Sequence, residues 1–135
     1  MEGEIPMTEE KDRVNEGKKF RQSMMDRLEV EYSAAETIKP EEDRKKYIQA
    51  MEERLAKLKV MTDEMKEKSK NVSKEAKAEF DTEIKKLQDL QVDAQSKLDD
   101  VRKSGSEAWQ KLRDSSMNAW KELADGVKKA VGKFR

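Results

Sequence analysis

The 135-residue chain has no cysteine and no histidine. Without cysteine, the chain cannot form disulfides or use thiol chemistry. Without histidine, it lacks the commonest general base and the commonest ligand of transition metals. No apolar run approaches the roughly 18 residues of a membrane-spanning helix, and the acidic N-terminus lacks the apolar stretch of a secretory signal. We therefore expect a cytoplasmic protein.

Apolar residues are also scarce, at 34% of the chain, whereas charged residues make up 44% and cancel to a net charge of zero. An ordinary globular protein has about 25% charged residues. A compact core is hard to build from so few apolar side chains, but long helices need only one narrow stripe each. Because disorder usually accompanies high net charge and no pattern, the strong periodicity of this neutral chain predicts an all-α, elongated protein.

The charged residues do not form a recognisable site. Adjacent carboxylates such as Asp99 and Asp100 point about 100° apart on a helix, so they cannot share a proton or a metal ion. The basic residues form short clusters beside acidic ones, which does not favour nucleic-acid binding. We expect no catalytic residue, no cofactor and no metal, and hence no enzyme.

The apolar spacing predicts a single helical domain over 8–135, after a flexible tail over 1–7. Three long helices would form an antiparallel hairpin or a three-helix coiled-coil bundle. Lys39-Pro40 ends the first helix, because the residue before proline disfavours the α conformation. The predicted helices cover 9–38, 41–70 and 73–133.

Two positions could be turns or parts of longer helices. The stretch 69–74 combines Asn71 with Ser73, which suit a helix end and a helix start. The stretch 103–106 contains Gly105, but the apolar pattern passes through it without a change of phase. This favours one helix, kinked or straight. A turn near Gly105 gives the alternative fold, a four-helix bundle with helices over 8–38, 41–70, 73–104 and 106–134.

From Leu87 to Arg135, the large apolar residues recur every eleven positions and include both tryptophans. A narrow apolar stripe on a helix has to pack against another surface to be shielded from water. We therefore expect self-association of the chain, and another protein is a further possible partner. The first column contains Leu87, Leu98, Trp109, Trp120 and Val131, and the second contains Leu90, Val101, Leu112, Leu123 and Phe134. The candidate interaction face drawn from both columns is Leu98, Val101, Trp109, Leu112, Trp120, Leu123, Val131 and Phe134.

The same repeat suits an amphipathic helix on an anionic lipid surface. Residues 105–135 contain seven basic and four acidic side chains, a net charge of +3. Basic residues close to anionic lipid contribute about 1 kcal/mol each. Packing against a helix remains the leading interpretation, and peripheral lipid binding is the alternative. The candidate basic end consists of Lys121, Lys128, Lys129, Lys133 and Arg135.

The chain from Tyr47 onward resembles a family of short bacterial stress-response coiled-coil proteins. The matching pieces are YIQAMEERLAKLK, KEAKAEFDTEIKKLQDL, SEAWQKLRDSSMNAWKEL and GKFR. The tandem Ala-Trp repeat is the most specific of them. Residues 1–40 lie outside the pattern, and Met51 and Met61 depart from its usual leucine or isoleucine. The resemblance implies a non-enzymatic protein linked to stress tolerance, with no catalytic residues.

Overall fold

The computed structural model describes residues 7–39, 43–105 and 107–134, with side chains from residue 16 onward. These residues form four helices and no strand, which confirms the predicted all-α class. The tail predicted over 1–7 lies outside the described residues except for Met7, which begins the first helix. The helices are α1 (Met7–Glu36), α2 (Arg44–Ser69), α3 (Lys74–Lys103) and α4 (Trp109–Val131).

Short polar side chains set several of the helix ends. The Thr37 hydroxyl donates to the carbonyl of Ala34 at 2.6 Å, just after α1 ends. The Asp43 carboxylate accepts the backbone N–H of Lys46 at 2.8 Å from an extended backbone, so α2 begins at Arg44 rather than at 41 as predicted. Ser73 caps α3 in the same way through Ala76. The turn predicted between the second and third helices is therefore present.

The chain also turns between α3 and α4, so the prediction of one helix over 73–133 is wrong. Ser104 has an extended backbone and ends α3, and the next helix begins at Trp109. The alternative with a turn near Gly105 describes the chain. The apolar columns keep their spacing through the turn, and this spacing wrongly indicated one helix. A turn can occur without changing the spacing, because each of the two helices buries its own stripe against the same core.

Consecutive helices run antiparallel. Phe80, near the start of α3, stacks on Phe134, just beyond α4, with 4.3 Å between ring centroids. Arg44 at the start of α2 donates to the carbonyl of Ser104 at the end of α3. α2, α3 and α4 all contact one another, whereas α1 packs against α2 and α4 and, among the described residues, not against α3. α1 therefore occupies a groove between α2 and α4.

The apolar stripes meet inside the bundle. Four methionines supply core side chains: Met24 of α1 and Met51, Met61 and Met65 of α2 are buried. Burial of a large aliphatic side chain contributes about 1.5–3 kcal/mol, so these stripes supply most of the stabilising free energy. The largest fully buried side chains are Trp120, Tyr47, Met24, Leu28, Met51, Leu58, Met61, Met65, Leu87, Leu98, Leu123 and Val101.

Gly126 of α4 leaves little room beside the leucines of α3, and its replacement by alanine is expected to destabilise the protein. A Cβ atom there would lie 2.9 Å from Leu87 Cδ2 and 3.3 Å from Leu90 Cδ1. Alanine gains about 1 kcal/mol in helix propensity, but overpacking against buried Leu87 costs about 1–3 kcal/mol. We expect Gly126→Ala to lower the free energy of unfolding by about 1 kcal/mol, measured by urea denaturation.

Gly105→Ala is the matched control for this prediction. A Cβ atom at Gly105 meets nothing within 4 Å, so the change should stay within about 0.5 kcal/mol of the parent protein. Equal effects of the two substitutions would contradict a close α3–α4 contact at Gly126.

Candidate functional site

The interaction face predicted from the eleven-residue columns lies inside the bundle. The side chains of Leu98, Val101, Trp109, Trp120, Leu123, Val131 and Phe134 are buried, and Leu112 is half-buried. The structure thus brings all eight residues into helix packing within the chain. None of them forms an open apolar surface in the closed bundle.

All seven aromatic residues of the chain make ring contacts with one another, and each contact involves α4 or Phe134. Such pairs contribute about 0.5–1.5 kcal/mol beyond the burial of their area. α4 and Phe134, three residues beyond its end, therefore join the other three helices. The pairs are Phe20–Phe134 at 4.9 Å, Phe80–Phe134 at 4.3 Å, Tyr32–Trp120 at 6.0 Å and Tyr47–Trp109 at 6.0 Å.

The candidate basic end is divided in the structure. Lys121, Lys128 and Lys129 are exposed on α4. Lys133 instead donates hydrogen bonds to Glu79 at 2.9 Å and Glu83 at 3.1 Å on α3. The remaining member, Arg135, lies outside the described residues.

The contacts of Lys133 shift the pKa values of Lys133 itself and of Glu83. The hydrogen bonds that Lys133 donates to Glu79 and Glu83 raise the pKa of Lys133, and the bond that Glu83 accepts lowers the pKa of that carboxyl. Both shifts favour the charged forms at neutral pH. Lys133 therefore ties α4 to α3 and adds less free positive charge to the surface than the sequence indicates.

A cleft of about 340 Å³ opens where the end of α1 and the start of α2 meet the middle of α4. This volume lies at the lower end of the range for small-ligand sites. Its walls combine two tyrosines and a tryptophan with charged side chains of both signs. We call it the tyrosine cleft, and its lining residues are Tyr32, Ala35, Glu36, Ile38, Lys39, Tyr47, Arg113, Asp114, Met117, Trp120, Lys121 and Asp125.

The two tyrosine hydroxyls of the cleft act as hydrogen-bond donors between helices. Tyr32 donates to Asp125 Oδ1 at 2.6 Å, and Tyr47 donates to the carbonyl of Arg113 at 3.1 Å. Burial, with the hydrogen bond and charge of Asp125, raises the pKa of Tyr32 well above its usual value. Burial raises the pKa of Tyr47 as well, although Ser116 and the charge of Arg113 oppose it. Both hydroxyls therefore keep their protons at neutral pH and join α1 and α2 to α4.

Sequence reasoning missed a buried ion pair between α1 and α2. The Glu31 carboxylate is 5% exposed and lies 3.2 Å from Arg54 Nε and 3.4 Å from Lys57 Nζ. The signal was present in the sequence, because Glu31 follows Leu28 by three residues and precedes Ala35 by four, on the apolar face of α1. A charged residue at such a position indicates a buried partner.

The described residues give no sign of a metal centre or of a bilayer-spanning segment. No cluster of three acidic side chains among them is placed to hold a metal ion. None of the described helices has an apolar stretch long enough to cross a membrane. The resemblance to stress-response coiled-coil proteins stays a prediction, and comparisons of the chain with protein-family models, curated proteins and solved structures find no match.

Proposed function

We propose that the chain is a non-enzymatic, stress-associated structural protein of the bacterial cytoplasm that acts through helix-face packing and self-association. The aromatic contacts support this proposal best. The tandem Ala-Trp repeat of α4 directs Trp109 towards Tyr47 of α2 and Trp120 towards Tyr32 of α1. The most distinctive stretch of the sequence therefore serves helix packing. Its resemblance to stress-response coiled-coil proteins supports the link to stress.

Peripheral lipid binding through 105–135 remains the alternative, but it requires the bundle to open. Trp109 and Trp120 are buried against other helices and cannot reach a bilayer in the closed form. Lys121, Lys128 and Lys129 are exposed and could meet anionic headgroups. Without apolar insertion, such attraction amounts to about 1 kcal/mol per lysine and is weakened by salt.

Sedimentation and vesicle flotation together test the proposal. We expect the sedimentation mass to rise with concentration above the 15.7 kDa of one chain. We also expect no flotation with vesicles of phosphatidylcholine and phosphatidylserine, and no change in tryptophan emission. Binding to these vesicles but not to pure phosphatidylcholine, abolished by the paired substitutions Lys128→Glu and Lys129→Glu, would replace packing by the lipid alternative. A single-chain mass at every concentration would remove self-association from the proposal.

A further inference from the structure

The outer surface of the bundle offers little apolar area to a second copy. In the part of the chain that the structure describes, the exposed large hydrophobic residues are Val30, Val60 and Val92, one each on α1, α2 and α3. A stable interface buries roughly 1,200–2,000 Å² around an apolar centre. Three valines on three different helices do not supply such a centre. Self-association therefore has to reuse contacts that the closed bundle makes internally.

α1 is the helix whose contacts are most readily reused. It lies in the groove between α2 and α4, whereas those two helices and α3 also pack on one another. From residue 16 onward, its buried apolar side chains are Met24, Leu28 and Ala35. α2 and α4 each bury a longer series. Elements with few buried apolar contacts open at the lowest free energy, so α1 should leave the bundle before any other helix.

Besides the ring contacts of Phe20 and Tyr32, polar contacts hold α1 in this groove. Glu31 meets Arg54 and Lys57, while Arg27 pairs with Glu64 on the same helix α2. On the other side, the Tyr32 hydroxyl donates to Asp125 of α4. Charges of both signs on α1 thus face their opposites along the groove. This pattern fixes the register of the bound helix, and only a helix with the same charges fits it equally well.

We propose that α1 exchanges between two copies of the chain, so that each groove between α2 and α4 holds the α1 helix of the other copy. This rests on the self-association in the proposed function and specifies how it occurs. The exchange forms the same apolar, aromatic and ionic contacts as the closed bundle and needs no new surface. Exchange of an identical element is a low-cost route to a symmetric dimer. Seven residues separate Glu36 from Arg44, enough to extend over about 23 Å.

Cysteine pairs can detect this exchange cleanly because the chain has no cysteine of its own. One variant contains Arg27→Cys on α1, and a second contains Glu64→Cys on α2. These positions are paired in the structure and 40% and 43% exposed, so a bismaleimide reagent can reach both. The two variants, with different tags, are mixed at concentrations that give the dimer mass in sedimentation, and are then cross-linked. A covalent product containing one copy of each variant shows that α1 of one copy lies on α2 of the other.

Glu52→Cys on α2 and Arg102→Cys on α3 form the matched control. This pair is also in contact and similarly exposed, at 47% and 46%, but joins two helices that stay within one copy. We expect about half of the dimers to be mixed in an equimolar sample, with a 27–64 product and no 52–102 product between copies. Dimers with no 27–64 product would overturn the exchange and leave self-association standing. A 52–102 product would show that α1 is not the exchanged element, and a single-chain mass would overturn both proposals.

Discussion

Replacement of Trp120 by alanine is expected to lower the free energy of unfolding by about 3–5 kcal/mol, as truncation of a core aromatic residue does. Trp120 is 1% exposed, and its ring meets Tyr32 of α1 edge-on with 6.0 Å between centroids. The substitution would leave a large cavity between α4 and α1. Urea denaturation followed by far-ultraviolet circular dichroism measures the loss without depending on tryptophan fluorescence.

Trp120→Phe separates the loss of ring volume from the loss of the indole N–H. The Nε1 atom of Trp120 is buried and has no hydrogen-bond acceptor among the described residues. An unsatisfied buried donor costs about 1–3 kcal/mol, and phenylalanine removes it while keeping most of the ring. We expect Trp120→Phe to lie within about 1 kcal/mol of the parent protein. An unchanged denaturation midpoint for Trp120→Ala would show that α4 does not present this side chain to the core.

The eleven-residue columns made the burial of α4 predictable. A large apolar side chain at every eleventh position returns to nearly the same face of a helix, so the columns had to meet a covering surface. Trp120, Leu123 and Val131 are all buried as this reasoning requires. What covers them was not predictable, because a stripe contains no information on whether its partner is a helix of the same chain, a second copy or a lipid surface.

The turn between α3 and α4 and the role of α1 were harder to predict, for different reasons. Ser104 and Gly105 are weak helix breakers, and the turn between them and Trp109 depends on α4 folding back on α3, a tertiary effect. From residue 16 onward, α1 buries the apolar side chains of Met24, Leu28 and Ala35. Its docking therefore also depends on Arg27, Glu31 and Tyr32, which meet charged partners on two other helices. Pairings across such distances in sequence leave no periodic pattern.

The pair formed by Glu31 and Arg54 leads to the second large effect. Its side chains are only 5% and 12% exposed, and neither Glu31 Oε2 nor Arg54 Nε has a well-aligned hydrogen bond among the described residues. The electrostatic attraction between Glu31 and Arg54 across 3.2 Å therefore offsets only part of the free-energy cost of removing both charges from water. Removal of one partner from a buried pair costs about 3–5 kcal/mol, because it leaves the other charge buried. We expect about 3 kcal/mol for Glu31→Ala, since the exposed carboxylate of Glu53 remains 3.3 Å from Arg54.

Removal of both charges should have the opposite outcome. In the double variant Glu31→Leu with Arg54→Met, no charge stays buried and apolar side chains of similar length fill the space. Replacement of a buried ion pair in this way is often neutral or stabilising by about 1–4 kcal/mol, so we expect the double variant to be at least as stable as the parent protein. Such non-additivity is the signature of direct coupling between two residues.

Glu52→Ala is the control for this series, because its pair with Arg102 is about half exposed on both sides. Exposed pairs contribute no more than about 1 kcal/mol, so Glu52→Ala should have a small effect and the Glu31 effect should exceed it severalfold. If the Glu31→Leu/Arg54→Met double variant instead loses as much stability as Glu31→Leu and Arg54→Met lose together, the two side chains contribute independently and their direct coupling is overturned. If the double variant keeps full stability while each single variant loses stability, the two residues are coupled and act on the register of α1. Urea denaturation of Glu31→Ala, Glu31→Leu, Arg54→Met and the double variant decides between these outcomes.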